Sequence, residues 1–165
     1  MKKIFHCIMI GILSLSSQIQ GDPHEATQAQ KDESAVRDFI EDAWRAEKKN
    51  MKVDIGNLSS KGSVEFFSSG GLLQELSPQM DVVEYEIFTV VPKHVHCVSL
   101  VPGKAVVAMY YAEGAEQFKG QSLVPKKLVR ITQVYVKEDG AWKIRAAHWS
   151  PLTGGQGTSN TSVEP

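Results

Sequence analysis

The sequence predicts an α+β fold, and three observations carry that prediction. A helical apolar stripe occupies the region from Glu33 to Asn50. Successive segments with strand-like alternation and turn residues follow it. The longest of these, Leu128 to Leu152, contains Asp139-Gly140, a dipeptide whose tolerance of positive φ suits a two-residue type I′ hairpin turn. A helical section followed by antiparallel strands packs its helices on one face of a curved sheet.

Bulk properties narrow the class. A chain of 165 residues is enough for one domain with a sizeable core and not for two. Its formal net charge of −1 gives no electrostatic footprint for nucleic acid or an anionic membrane surface. Lys2 and Lys3, the apolar run from Ile4 to Leu15 and the small Gly21 have the order of a cleaved secretory signal over residues 1–21. That run is shorter than the roughly 20 residues a spanning helix needs, so the expectation is export, periplasmic or secreted, with no membrane attachment after cleavage. Cys7 lies within this leader and lacks the small-residue context of a lipid-attachment site. Cys97 is then the one cysteine left, which excludes an internal disulfide, and its neighbours Val95 and Val98 suit an inert buried thiol.

Residues 22–32 are polar and aperiodic and read as a flexible lead-in. From Glu33 to Asn50, Val36, Phe39, Ile40, Ala43 and Trp44 form one stripe, with Asp32 or Ser34 as cap and Lys48-Lys49 at the dipole's negative end. A short second helix is expected from Asp54 to Ser60, ended by Gly62, then a strand from Val64 to Ser68 and a helical turn from Leu72 to Ser77. Val82 to Val91, Val95 to Val101 after a Pro92-Lys93 break, and Ala105 to Ala112 after Pro102-Gly103 read as strands. Glu113 to Pro125 is read as a connection into the long hairpin, and residues 153–165 as a disordered tail.

If Glu138 pairs with Ala141, alternation divides the hairpin into two faces. One carries Ile131, Gln133, Tyr135, Trp142, Ile144, Ala146 and His148, an apolar set holding a Gln and a His, as a pocket floor would. The other carries Arg130, Thr132, Val134, Val136, Lys143, Arg145, Ala147 and Trp149, and its exposed Trp makes it the expected homodimer face.

The run Thr132-Gln133-Val134-Tyr135, then Asp139 to Ile144, then His148-Trp149-Ser150, resembles the end of SnoaL-like domains. It is similar in particular to the association domain of calcium/calmodulin-dependent kinase II. Both fall in the cystatin-like, cone-shaped superfamily of nuclear transport factor two, ketosteroid isomerase and scytalone dehydratase. The resemblance covers residues 33–152, including the helix with Phe39, Ile40, Ala43 and Trp44 and the segment Phe66 to Gly71. It implies a strongly curved antiparallel sheet with the N-terminal helices on its concave face, wrapped around an apolar pocket and dimerising through the sheet. Two arginines of the kinase association pocket correspond to Gln133 and Trp149 here, so a carboxylate-binding pocket does not carry over.

Within that frame His148 is the candidate acid/base, and Gln133, Tyr135, Trp44 and Tyr111 join it as candidate ligand contacts. Tyr110 and Tyr111 must point to opposite faces, and alternation alone leaves open which one enters the pocket. His94 and His96 share a strand face, but any such pair satisfies that spacing, and no metal or other cofactor is assigned. Glu84 and Glu86 read as a solvated strand face. Three functions remain open. They are an exported binding module for a small apolar or amphipathic molecule, a lyase or isomerase using His148, and a dimeric assembly domain without ligand.

Overall fold

The computed structural model describes residues 25–152; the expected leader, residues 22–24 of the lead-in and the expected tail lie outside them. One α-helix, α1 (Gln28–Asn50), precedes seven strands: β1 (Ser63–Phe66), β2 (Gln74–Leu76), β3 (Tyr85–Phe88), β4 (Val91–Val101), β5 (Ala105–Phe118), β6 (Val124–Glu138) and β7 (Ala141–Pro151). They form one curved sheet in the order β2-β1-β7-β6-β5-β3, with β4 also paired to β5. Every pairing is antiparallel except β1 with β7, which is parallel. The fold is thus α+β as expected, with one helix where several were expected. Among the described residues no helix is long and apolar enough to cross a membrane.

Helix α1 starts earlier than its apolar stripe. The Thr27 hydroxyl accepts from the Gln30 amide at 3.3 Å, and Gln30 Oε1 accepts from the Thr27 amide at 2.8 Å, a capping box that displaces the expected cap at Asp32 or Ser34. Asp32 is instead buried, and it accepts from Gln28 Nε2 at 2.8 Å and from the Gly103 amide at 2.6 Å. Glu33 accepts from the Ser99 amide at 2.9 Å. These two carboxylates fasten the helix to the β4–β5 hairpin, so Asp32, expected in the lead-in, helps anchor the helix. Val36 and Ile40 then pack with Val106, Ala108, Tyr110 and Ile131 of the sheet to form the core.

Several boundaries differ from the sequence reading. The second helix shrinks to a 3-10 turn, Ile55–Asn57, in which Asp54 Oδ1 accepts from the Gly56 amide. The helical turn expected from Leu72 to Ser77 is the edge strand β2, because Gly62 lets β1 and β2 approach closely. Gly62 has φ +76°, and a Cβ there would lie 2.3 Å from the Leu76 carbonyl oxygen. The break expected at Pro92-Lys93 is a bulge within β4, with His94 at φ 53°. The connection from Glu113 to Pro125 is mostly strand, since β5 runs to Phe118 and β6 begins at Val124.

The hairpin carries the main correction. Asp139 (φ 48°) and Gly140 (φ 83°) make the turn and Glu138 pairs with Ala141, as the sequence indicates. Farther along, Tyr135 pairs with Ile144 but Val134 pairs with Ala146, so Arg145 is an extra residue in β7. Beyond this bulge the alternation is inverted. Ala147 and Trp149 turn toward the core, while Ala146 and His148 turn away from it.

Deleting Arg145 should close the bulge and leave Trp149 facing inward opposite Ile131, since Tyr135–Ile144 and Val134–Ala146 then become consecutive pairs, at a cost of about 1 kcal/mol from the lost Gly62 contact. Arg145→Ala keeps the inserted residue and should cost about 1 kcal/mol. Urea unfolding followed by Trp fluorescence measures both. A much larger loss on deletion, with the Trp149 emission of an exposed indole, would mean that the bulge itself holds the indole inward.

Candidate functional site

The concave face has a polar cluster at its floor, built by β5, β6 and α1. Alternation puts Tyr110, Gln133 and Tyr135 inward, and all three are buried. Both tyrosine hydroxyls donate to Gln133 Oε1, at 2.5 Å from Tyr110 and 2.6 Å from Tyr135. Trp44 Nε1 donates to the Tyr110 hydroxyl at 3.4 Å, and Phe39 meets the Tyr135 ring edge-on at 5.6 Å. Burial pushes the Tyr110 and Tyr135 hydroxyls well above the usual tyrosine range, so they act as neutral donors. Gln133 and Tyr135 therefore spend their oxygens on this cluster.

Nearer the rim the chemistry changes. Trp44 stacks on Phe88 at 5.9 Å and lies 6.2 Å from Trp149, and both indoles remain partly exposed. Three carboxylates border this aromatic wall. Glu47 lies one turn after Trp44 on the same helix face and accepts from the Asp54 amide at 3.2 Å. Glu65 on β1 is buried and accepts from Ser63 Oγ at 2.8 Å and Trp149 Nε1 at 3.1 Å. Glu116 on β5 pairs with Lys127 of β6, whose ammonium stands 6.0 Å over the Trp149 ring. Of the three, only Glu116 has a cation partner among the described residues.

Burial lifts the Glu47 carboxyl to about 7, outweighing the Asp54 amide that favours its ionised form. Burial also raises Glu65, against the pull of its Ser63 and Trp149 donors. A carboxyl near neutrality beside an aromatic surface can hold, give or take a proton under ordinary conditions.

The sequence candidates separate into two groups. Trp44, Gln133 and Tyr135 come together on the concave face, with Tyr110 and not Tyr111 as the inward tyrosine. Tyr111 is 40% exposed, on the outer face. His148 is also corrected. The bulge turns it to the outer face, where it is exposed and meets Phe66 edge-on at 5.8 Å. Glu84 and Glu86 are exposed, and Glu84 is paired with Lys119. His96 and His148 stand on strands three places apart, about 14 Å at the usual strand spacing, too far to share one metal. No group of three His, Cys, Asp or Glu suited to a metal occurs among the described residues. Cys97 is buried, and burial pushes its thiol up to about 11.

Sequence reasoning missed Glu47, Glu65, Glu116, Lys127 and the inward Trp149. Glu47 had a usable signal, being an acid seven residues after Ile40 and three after Trp44 on the apolar stripe. The others depend on registers that no motif specifies.

Solved structures share this architecture. An NTF2-like protein of unknown function from Pseudomonas putida KT2440 is 16% identical, with a TM-score of 0.53, over 82% of this chain and 97% of that one. A suspected aromatic ring hydroxylase from Novosphingobium aromaticivorans is 12% identical with a TM-score of 0.56, over 75% and 91% of the two chains. An NTF2-like protein from Cytophaga hutchinsonii is 19% identical with a TM-score of 0.51, over 70% and 98%. At such identities the likeness establishes the fold alone, the cone of nuclear transport factor 2-like proteins. No protein-family model and no curated protein matches the sequence.

The raised Glu47 carboxyl has a stability consequence with a definite sign. The native state holds this proton more tightly than the unfolded chain, so its contribution is fully present below the ordinary value of 4.5 and is lost as pH rises toward 7. The shift corresponds to at most on the order of 3 kcal/mol. Glu47→Gln should therefore leave stability at pH 4 unchanged and raise it at pH 8 by about 1–3 kcal/mol. Urea unfolding at the two pH values checks this, and equal effects at both would place the titration elsewhere.

Proposed function

We propose that the protein is an exported small-molecule-binding domain whose ligand, a small apolar or amphipathic molecule, rests at the rim of the cone. Trp44 and Trp149 form the wall and Glu47 meets the ligand's polar end. The observation that carries this reading is the Glu47 carboxyl, which holds the Asp54 amide and the Tyr85 hydroxyl but no cation among the described residues, one turn after the partly exposed Trp44. Isolated carboxylates are costly beside apolar surface, and a ligand donor or amine removes that cost. Apolar area covered on the two indoles adds roughly 25 cal/mol per Å². The lyase or isomerase alternative requires a proton-transfer group at the ligand. Glu47 supplies one there, whereas His148 on the outer face does not.

A second reading, compatible with the first, is favoured by the outer sheet face. Cross-strand registry aligns Val98, Val107, Val134 and Ala146 in one row and His96, Met109, Thr132 and His148 in the next. Met109 is 46% exposed at the middle of the second row. We propose this face as the homodimer contact. Of the residues first expected there, Thr132 and Val134 remain, while Ala147 and Trp149 have turned inward.

Native mass spectrometry of exported protein tests the binding reading. The mature chain should begin near Asp22 and carry a small-molecule adduct whose occupancy falls at least about tenfold in Trp149→Ala. Unliganded protein that also fails to respond to a chemically broad thermal-shift panel would overturn it. Light scattering tests the assembly reading. The unaltered protein should be dimeric at micromolar concentration and Met109→Glu monomeric, and a monomeric unaltered protein rejects the contact.

A further inference from the structure

The bulge that inverts β7 also delivers a guanidinium to a place remote from the cone floor. Two adjoining clefts, of about 400 and 550 Å³, flank the β6–β7 hairpin, the first between it and the start of β1 and end of β2. Ser60, Lys61 and Arg145 line both.

Arg145 is half-buried, and one of its N–H groups donates to the Gly62 carbonyl at 3.2 Å. That bond fixes the plane of the guanidinium and leaves its other donors free. Acids are present in the lining but engaged elsewhere or apart. Glu138 accepts from Ser59 Oγ at 2.6 Å and from the Ser60 amide at 2.8 Å. Among the described residues, no carboxylate of Glu75, Glu138, Asp139 or any other side chain comes within 4.0 Å of Arg145 or Lys61. A half-buried guanidinium with no carboxylate partner, in the same cleft lining as an exposed lysine, leaves N–H donors and positive charge that suit an oxyanion.

We propose that this cleft binds the oxyanion group of a small molecule, a carboxylate or a phosphate ester, through Arg145 and Lys61. Arg145 grips the group with its planar fork and Lys61 adds a point charge. The site stands independently of the cone ligand.

The test is a titration of the isotopically labelled full chain with sodium phosphate or sodium acetate, against sodium chloride at equal ionic strength, followed by NMR. The amides of Ser60, Lys61 and Gly62 and the Arg145 Nε–H should shift saturably at millimolar anion, and the indole signals of Trp44 and Trp149 should stay in place. A response to phosphate alone assigns the phosphate-ester class, to acetate alone the carboxylate class, and to both the shared oxyanion chemistry. Affinity should fall about tenfold in Arg145→Gln and roughly threefold in Lys61→Gln. Shifts reproduced by chloride, shifts at the indoles instead, or unchanged affinity in a folded Arg145→Gln would each overturn the proposal. If Arg145→Gln does not fold, unchanged affinity in Lys61→Gln, at an exposed position, overturns it equally.

Discussion

One inserted residue governs the arrangement of this molecule. A strand alternates its side chains with a period of two, so a residue that pairs with nothing reverses the faces of all that follow. Arg145 is that residue in β7. Before it, Trp142 and Ile144 pack inward, and after it Ala147 and Trp149 do. If the same residues alternated without the bulge, Trp149 would stand in water and the core would receive His148 in its place. Burying a large indole is favourable, whereas burying a histidine without partners is costly, so the bulge is held by the residues beyond it.

The interior is graded from satisfied to unsatisfied. At the floor, two hydroxyls and one indole N–H are matched to a Gln oxygen and a Tyr oxygen, and no acid takes part. A closed network of this kind fixes side chains and has little capacity left for a ligand. Toward the rim, the acids outnumber the cations. Glu116 has Lys127, Glu65 has two neutral donors, and Glu47 has the Asp54 amide and the Tyr85 hydroxyl but no cation among the described residues. Proton chemistry therefore concentrates where α1 ends and the indoles are partly open.

Much of the fold was legible in the sequence, because local rules coincide with the tertiary outcome there. The apolar stripe through Val36, Ile40 and Trp44 faces the sheet, and Asp139-Gly140 makes its turn. Local rules lost where a contact distant in sequence decided the conformation. Leu72 to Ser77 has no strand alternation of its own and becomes strand through Gly62 and β1. Thr27 and Gln30 cap a helix start that has no apolar stripe to announce it. The site suffered most, since His148 and Trp149 were assigned by alternation across the one position that breaks it. Tyr111 had the same weakness, as its neighbour Tyr110 is equally suited and only the register with Ile131 separates them.

The same insertion places an acid that no motif marks. Strand β1 is too short to fix its own facing, and it pairs with β7 only beyond the bulge, Val64 with Ala146, Glu65 with Ala147 and Phe66 with His148. Residues opposite one another share a face, so Glu65 goes inward with Ala147 and Phe66 outward with His148. Glu65 then reaches Trp149, whose indole N–H has been turned in by the same bulge. Had β7 kept its simple alternation, the same pairing would put Glu65 outside and Phe66 inside, giving a plain apolar core with no acid in it. The bulge thus converts an ordinary sheet interior into one that holds an acid, and the side chain of its extra residue, Arg145, is left on the cleft at the opposite end of the β1 contact.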